Sequence, residues 1–307
     1  VKKLALIPMK ARIAEIQSVY ASAAGRIIAA LSSLEPDTYT AVKSGTVLSQ
    51  VKDIIGSLDT AVQMWAPPAI RAVYEESAGV ARTRLEMIGA KRLPAKKYNP
   101  ARHDKKIAAL TKTVMTDYWK ANRTIEKTAR KYLAVVSQAA AGIKRIEQVQ
   151  MFDPATVKGF INRIISASLV AKTQYNVGMA HLTSKDIAAK IRAKLLSQLS
   201  GENFITINGR DYNLRFYAEL VARTRMRESQ TEAVIESMKE FGEDLVEIPR
   251  HDNPCKEICA PYQGQIYSIS GNSSKYEKLP DGGPPWHPCC EDIANPVSEN
   301  ALAWRNR

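Results

Sequence analysis

The chain has 307 residues, 45% hydrophobic, 24% charged and 7% aromatic, a balance that excludes disordered and fibrous classes and suits one large or two medium globular domains. Forty-four Lys and Arg against 31 Asp and Glu give +13, so the natural partner is acidic, either nucleic acid or an anionic surface. The charge is uneven: residues 1–200 carry 32 basic and 14 acidic residues (+18) and 201–307 carry 12 and 17 (−5), which predicts two domains with the basic function in the first.

From Met9 to Leu34 apolar residues recur every three or four positions (Ile13, Ile16, Tyr20, Ala24, Ile27, Leu31), predicting a helix with one buried face, closed by Pro36. Val47 to Trp65 repeats the pattern through Val51, Ile54, Leu58 and Val62, and Pro67-Pro68 reads as the start of a further helix to about Ala90. Leu93 to Pro100, rich in Lys, Pro and Asn, reads as a solvated linker. Ile107 to Gln148 is the longest uninterrupted helical segment, roughly 60 Å at 1.5 Å per residue. Asp153-Pro154 then opens helical segments to about Leu199. The region 1–200 is thus expected to be basic, elongated and helical.

Beyond Gly201 the pattern changes. Phe204 to Ile207, Asn208-Gly209 and Arg210 to Tyr212 predict a hairpin, followed by a helix from about Leu214 to Phe241 that ends at Gly242. Leu245 to Ile248 and Gln265 to Ile269 read as strands, and Gly271 to Pro285 as a long loop. Residues 201–307 therefore read as a small α+β domain. No stretch has the eighteen or so uninterrupted apolar residues of a membrane span, and Leu4-Ala5-Leu6-Ile7, cut by Pro8, is too short for a secretory core. The expectation is a chain made in a cytosol, without membrane contact.

All four cysteines fall near the C-terminus, as Cys255-x3-Cys259 and His287-Pro-Cys289-Cys290. Two short ligand clusters joined by a long loop suit the tetrahedral N/S coordination of zinc, and the preferred set is Cys255, Cys259, His287 and Cys290. Cys289 is an alternate fourth ligand, with His251 and Asp292 as further candidates. Zinc held by four protein ligands has no open position and is structural. A second signal is the run Lys91 to Lys131, with 13 Lys and Arg against Asp104, Asp117 and Glu126. Lys112, Lys120, Arg123, Lys127, Arg130 and Lys131 lie on one helix and are expected to meet DNA phosphate without sequence preference, or an acidic protein surface. A third is Glu219 to Glu228, where Arg223 and Arg227 share a helix face and suit salt bridges with Glu219 or Glu228, or the binding of an anion, salt bridging being the commoner outcome. No nucleophilic triad, phosphate loop or dinucleotide fingerprint is identifiable, so no catalytic residue is assigned.

The series Tyr217-Ala-Glu-Leu-Val-Ala-Arg-Thr-Arg225, Gly242-Glu-Asp-Leu-Val-Glu-Ile248, Arg250-His-Asp-Asn-Pro-Cys255, Ala260-Pro-Tyr-Gln-Gly-Gln-Ile-Tyr-Ser268 and Pro284-Pro-Trp-His-Pro-Cys-Cys290 resembles the C-terminal domain of tailed-phage minor head proteins. These are the phage Mu protein F family and its relative, minor capsid protein 2. The resemblance covers about Phe204 to Pro296. That family commonly ends His-Pro-x-Cys-Arg-Cys, and registering His287 puts Cys290 at the first cysteine and Asp292 at the second, which favours Cys290 over Cys289.

The resemblance implies a structural head-morphogenesis protein of a tailed bacteriophage, assembled in the host cytoplasm and resident in the virion. It implies attachment to the portal protein or the major capsid protein, in copies arranged by virion symmetry; double-stranded DNA, expected from the basic run, is a further partner. It also implies a domain distantly similar to ADP-ribosyltransferases, whose catalytic glutamate has no match here, so Arg223 and Thr224 are assigned structural roles. The rival reading is a phage-encoded enzyme delivered with DNA, transferase-like or nuclease-like.

Overall fold

Helices dominate the computed structural model, which describes residues 9–36, 38–148, 203–207, 210–251 and 258–299, with Ala189, Ala193 and Leu302. In chain order these are α1 (Lys10–Ser32), α2 (Ala41–Met87), α3 (Ala101–Gln148), β1 (Asn203–Ile207), β2 (Arg210–Asn213), α4 (Leu214–Phe241), β3 (Leu245–Glu247), β4 (Ile266–Ser268) and β5 (Asn295–Val297). The chain is mainly helical with small antiparallel sheets, as expected. The helices expected after Asp153 and the Asn208-Gly209 turn lie outside the described residues.

Contacts divide the chain into two units, one of Gln17–Ala61 and Tyr118–Tyr217, the other of Val1–Ile16, Val62–Asp117 and Ala218–Arg307. The first buries the apolar faces of three helices: Tyr20, Ala24, Ile27 and Leu31 from α1, Val51 and Leu58 from α2, and Tyr118, Ala121, Ile125 and Ala129 from α3. A polar thread crosses this core. The Tyr20 hydroxyl donates to Asn122 Oδ1 at 2.9 Å, and Asn122 Nδ2 donates to Asp59 Oδ1 at 2.7 Å. β1 and β2 pair as the predicted hairpin, and Asn213 Oδ1 then accepts the Phe216 N–H at 2.7 Å, capping α4.

In the second unit the sheet order is β4-β3-β5, all antiparallel. The two-residue period of β3 serves two clusters, Val246 joining Ala81, Leu85, Val234, Met238, Phe241, Tyr267 and Leu279, and Leu245 joining Val297 and Leu302. Gly89 and Gly242 end α2 and α4 with φ of 83° and 72°. At each, two N–H groups fold back, Gly89 to Glu86 O with Ala90 to Leu85 O, and Gly242 to Lys239 O with Glu243 to Met238 O. This is the left-handed cap that satisfies the last carbonyls of a helix.

Three local readings change. Pro67 and Pro68 start no new helix; α2 runs through both. They lie on its exposed face, as do Gln63 and Met64, so the carbonyls that lose an N–H partner face water, while Trp65, Ala66, Ala69 and Ile70 hold the helix to the core. The segment at Leu93 to Pro100 is tied down rather than solvated throughout: the Leu93 N–H donates to Glu240 O at 2.9 Å, and Tyr98 is buried. β5 was not expected, because Pro296 within it weakens any strand signal; as an edge strand it tolerates the missing donor.

Candidate functional site

Cys259 immediately precedes a 3₁₀ turn, Ala260–Tyr262, and His287 and Cys290 close a turn in which the Cys290 N–H donates to His287 O at 3.1 Å. These loops bring Cys259, His287 and Cys290 together, with all three ligand atoms within 4.8 Å of one another. Cys259 Sγ lies 3.6 Å from Cys290 Sγ and 2.7 Å from His287 Nε2. Cys255, the remaining member of the expected set, lies outside the described residues. Cys289 stands apart from the group, with φ of 62° and its N–H donating to Thr224 Oγ1 on α4 at 3.3 Å.

The donors fit a tetrahedral metal. Two sulfurs bound at about 2.3 Å sit about 3.8 Å apart on a tetrahedral edge, close to the sulfur separation here, and a small retreat of the imidazole would complete the shape. His287 Nδ1 donates to Pro288 O at 2.8 Å. A carbonyl can only accept, so the ring proton sits on Nδ1 and the Nε2 lone pair faces Cys259, the tautomer a metal needs. Burial, reinforced by Asp292 and Cys290, pushes the Cys259 thiol well above its ordinary range, and burial also raises Cys290. A divalent cation reverses that preference by binding thiolate.

Asp292 backs the group. Its Oδ2 lies 3.3 Å from Cys290 Sγ and its Oδ1 accepts Gln263 Nε2 at 2.7 Å. His251 Nε2 is 3.2 Å from Asp292 Oδ1 but makes no hydrogen bond among the described residues. Arg223, expected in a salt bridge, pairs with Glu219 at 2.6 Å. Arg225 takes both Glu228 at 2.6 Å and Asp117 at 2.7 Å. Arg227, by contrast, is only 8% exposed and donates through Nη1 to Gln230 at 3.0 Å.

The six cations assigned to partner contact are all exposed on α3. Lys112 belongs to the second unit; Lys120, Arg123, Lys127, Arg130 and Lys131 belong to the first. At about 100° per residue the latter five occupy an arc of roughly 100°. Arg130 pairs with Glu126 at 2.7 Å; the other four have no acidic partner among the described residues.

One polar network was missed from sequence. Glu232, Glu236 and Glu240, four residues apart on α4, meet Lys106 at 2.8 Å, Arg102 at 3.1 Å and Arg82 at 2.7 Å respectively. Glu236 also accepts the Tyr98 hydroxyl at 3.3 Å and Lys239 Nζ at 2.8 Å. His103 Nε2 lies 3.0 Å from Arg82 Nη2 and 3.4 Å from Glu240 Oε2, and its Nδ1 lies 2.9 Å from Tyr74 Oη. The four-residue spacing was the available signal; the cations that answer it lie more than 120 residues away.

The family profile of phage minor capsid protein 2 matches residues 75–282, which takes in the end of α2, all of α3 and α4, the hairpin strands β1 and β2, and β3 and β4 of the second sheet. No curated protein and no solved structure gives a significant match. No likeness to ADP-ribosyltransferases is shown. Among the described residues no helix is long and apolar enough to cross a membrane.

Proposed function

This chain belongs to the phage minor capsid protein 2 family, and from that premise we propose that it is fixed at the portal or on the inner face of the shell with the basic face of α3 turned toward packaged DNA. The family makes it a structural protein of the phage head, resident in the virion and in contact with other virion components. The finer reading rests chiefly on one observation, the arc of Lys120, Arg123, Lys127, Arg130 and Lys131. The opposite face of the same helix is spent on the core through Tyr118, Ala121, Ile125 and Ala129, so these cations are not needed for packing. Backbone phosphates suit such an arc, since neutralising them releases condensed counterions and requires no base readout.

Zinc is the proposed cofactor, in a structural role. Two sulfurs and an imidazole are its preferred donors, with Cys255 as the fourth by the sequence pattern. A family of structural capsid proteins favours a non-enzymatic role. Arg223 and Thr224 are consistent with it: Arg223 is bonded to Glu219, and Thr224 Oγ1 donates to Leu220 O and accepts from Cys289.

The test is to carry Lys120→Glu, Lys127→Glu and Lys131→Glu together into the phage and to measure, on purified particles, the abundance of this chain relative to the major shell protein and the DNA content. Normal incorporation with reduced DNA content or impaired ejection is expected. Normal incorporation with both unchanged refutes the DNA contact, and loss of incorporation assigns the arc to an acidic protein surface instead.

A further inference from the structure

His287 and Cys290 are the first and fourth residues of one turn, closed by the Cys290 N–H donating to His287 O at 3.1 Å. Pro288 holds its second position, and Cys289 holds the third with φ of 62°. A proline followed by a left-handed residue is the signature of a type II turn, whose third position favours glycine or asparagine; other residues favour the type I form, in which the central peptide is flipped over. Here that peptide, between Pro288 and Cys289, is held at both ends. Its carbonyl accepts the His287 Nδ1 proton at 2.8 Å, and its N–H donates to Thr224 Oγ1 on α4 at 3.3 Å. Across a trans peptide the two groups point opposite ways, so fixing one fixes the other. Thr224 Oγ1 spends its own proton on Leu220 O at 2.7 Å and so meets the turn as an acceptor.

We propose that Thr224 is a positioning residue for the Cys259–His287–Cys290 centre, locking the Pro288–Cys289 peptide in the orientation that keeps the His287 Nε2 lone pair toward Cys259. The inference rests on the metal reading above and deepens it. With the peptide flipped, its carbonyl leaves His287 Nδ1, and the imidazole loses the bond that selects its tautomer and its direction. A cysteine in the left-handed region works against the form the ligands need, and the bond to Thr224 offsets that strain. Without it the competent turn is only partly populated, and metal affinity falls in proportion. Cys289 thus serves the centre through its backbone, and its sulfur is not among the three grouped ligand atoms.

The experiment uses the full chain and zinc itself, with affinity read by competition against a chromophoric chelator and the fold followed by circular dichroism in EDTA. Thr224→Val, which keeps the shape of the side chain and removes the acceptor, is expected to weaken zinc binding roughly tenfold, the low end of the range for groups that orient metal ligands. Thr224→Ser, which keeps the oxygen, recovers most of that loss. Cys289→Gly is expected to bind within about threefold of wild type, because glycine takes the left-handed position without strain. Joined to Thr224→Val it restores most of the affinity, since the turn then needs no bond to hold it. Wild-type affinity in Thr224→Val overturns the proposal. So does a Thr224→Val defect that Cys289→Gly leaves in place, or a Thr224→Val chain without its helical signal in EDTA, since Thr224 then serves packing alone. Loss of zinc in Cys289→Gly by itself also overturns it, making that sulfur a ligand. A wild-type chain that takes up no zinc refutes the metal centre itself, a result distinct from all of these.

Discussion

Glu236 is fully buried, and its charge survives there because Lys239 and Arg102 outweigh the burial that alone would raise its pKa; the net effect holds it below the ordinary carboxylate value. His103 goes the other way for a base: burial, then the positive charge of Arg82, lowers its pKa and keeps the ring neutral. These directions set a pH dependence. The His103 contribution is fully present above about pH 6.5, its unfolded value, and is lost as pH falls; the Glu236 contribution persists to about pH 4.3 and is lost only below it. Urea midpoints measured in EDTA, so that metal release adds nothing, should therefore fall between pH 7.5 and 5.5, and His103→Gln should flatten that fall. An unchanged slope in the variant would place the titration elsewhere. Truncating Glu236 to Ala, which strands the Tyr98 hydroxyl, is expected to cost roughly 1–3 kcal/mol by urea denaturation. None of this was legible in the sequence, because a glutamate's partner is set by which helices pack together. The cysteine group was legible in part: spacing singled out Cys259, His287 and Cys290, while the backing role of Gln263 depends on a loop closure that spacing does not encode.

Periodicity located the elements well where one face is buried. α1, α3 and α4 follow their apolar stripes closely, and the hairpin followed from alternation and its turn residues. α2 and β5 were misread for a common reason, proline. What a proline costs depends on which side of the element faces the core, and the local sequence does not show that side. At α2 the prolines face solvent, so the helix keeps its buried side and forgoes two backbone bonds. Replacing Pro68 by Ala restores an N–H donor at an exposed position and is expected to raise stability by about 1–3 kcal/mol, seen as a higher melting temperature. No gain would mean that the prolines set a bend the core requires.

For the whole molecule, the loops carrying the cysteine group reach the larger apolar cluster of the sheet through Tyr262, Trp286 and Ile293, and a metal would add a cross-link among Cys259, His287 and Cys290, which are not part of that cluster. Removing zinc with EDTA, or changing Cys259→Ser or His287→Ala, is expected to lower the melting temperature of the second unit, since structural zinc binding is worth on the order of 10 kcal/mol and one missing ligand forfeits much of it. A melt like wild type in both variants would argue against the metal. The division expected at residue 200 follows from charge and from the change of pattern at Gly201, while by contacts the basic arc and the cysteine group each belong to one unit whose residues come from separate stretches of chain.

Pro296 has a consequence for a chain resident in a virion. In an antiparallel edge strand, alternate residues turn their N–H and C=O groups inward and outward, and the pairs Leu245 with Val297 and Glu247 with Asn295 flank Pro296 opposite Val246. The residue without a donor is thus the one whose backbone faces away from β3. Where chains are crowded together, a free strand edge is a template on which foreign strands accumulate. β5 is buried along its length and also lacks the donor that such growth would need at its centre, so on this side the sheet ends with its own last strand.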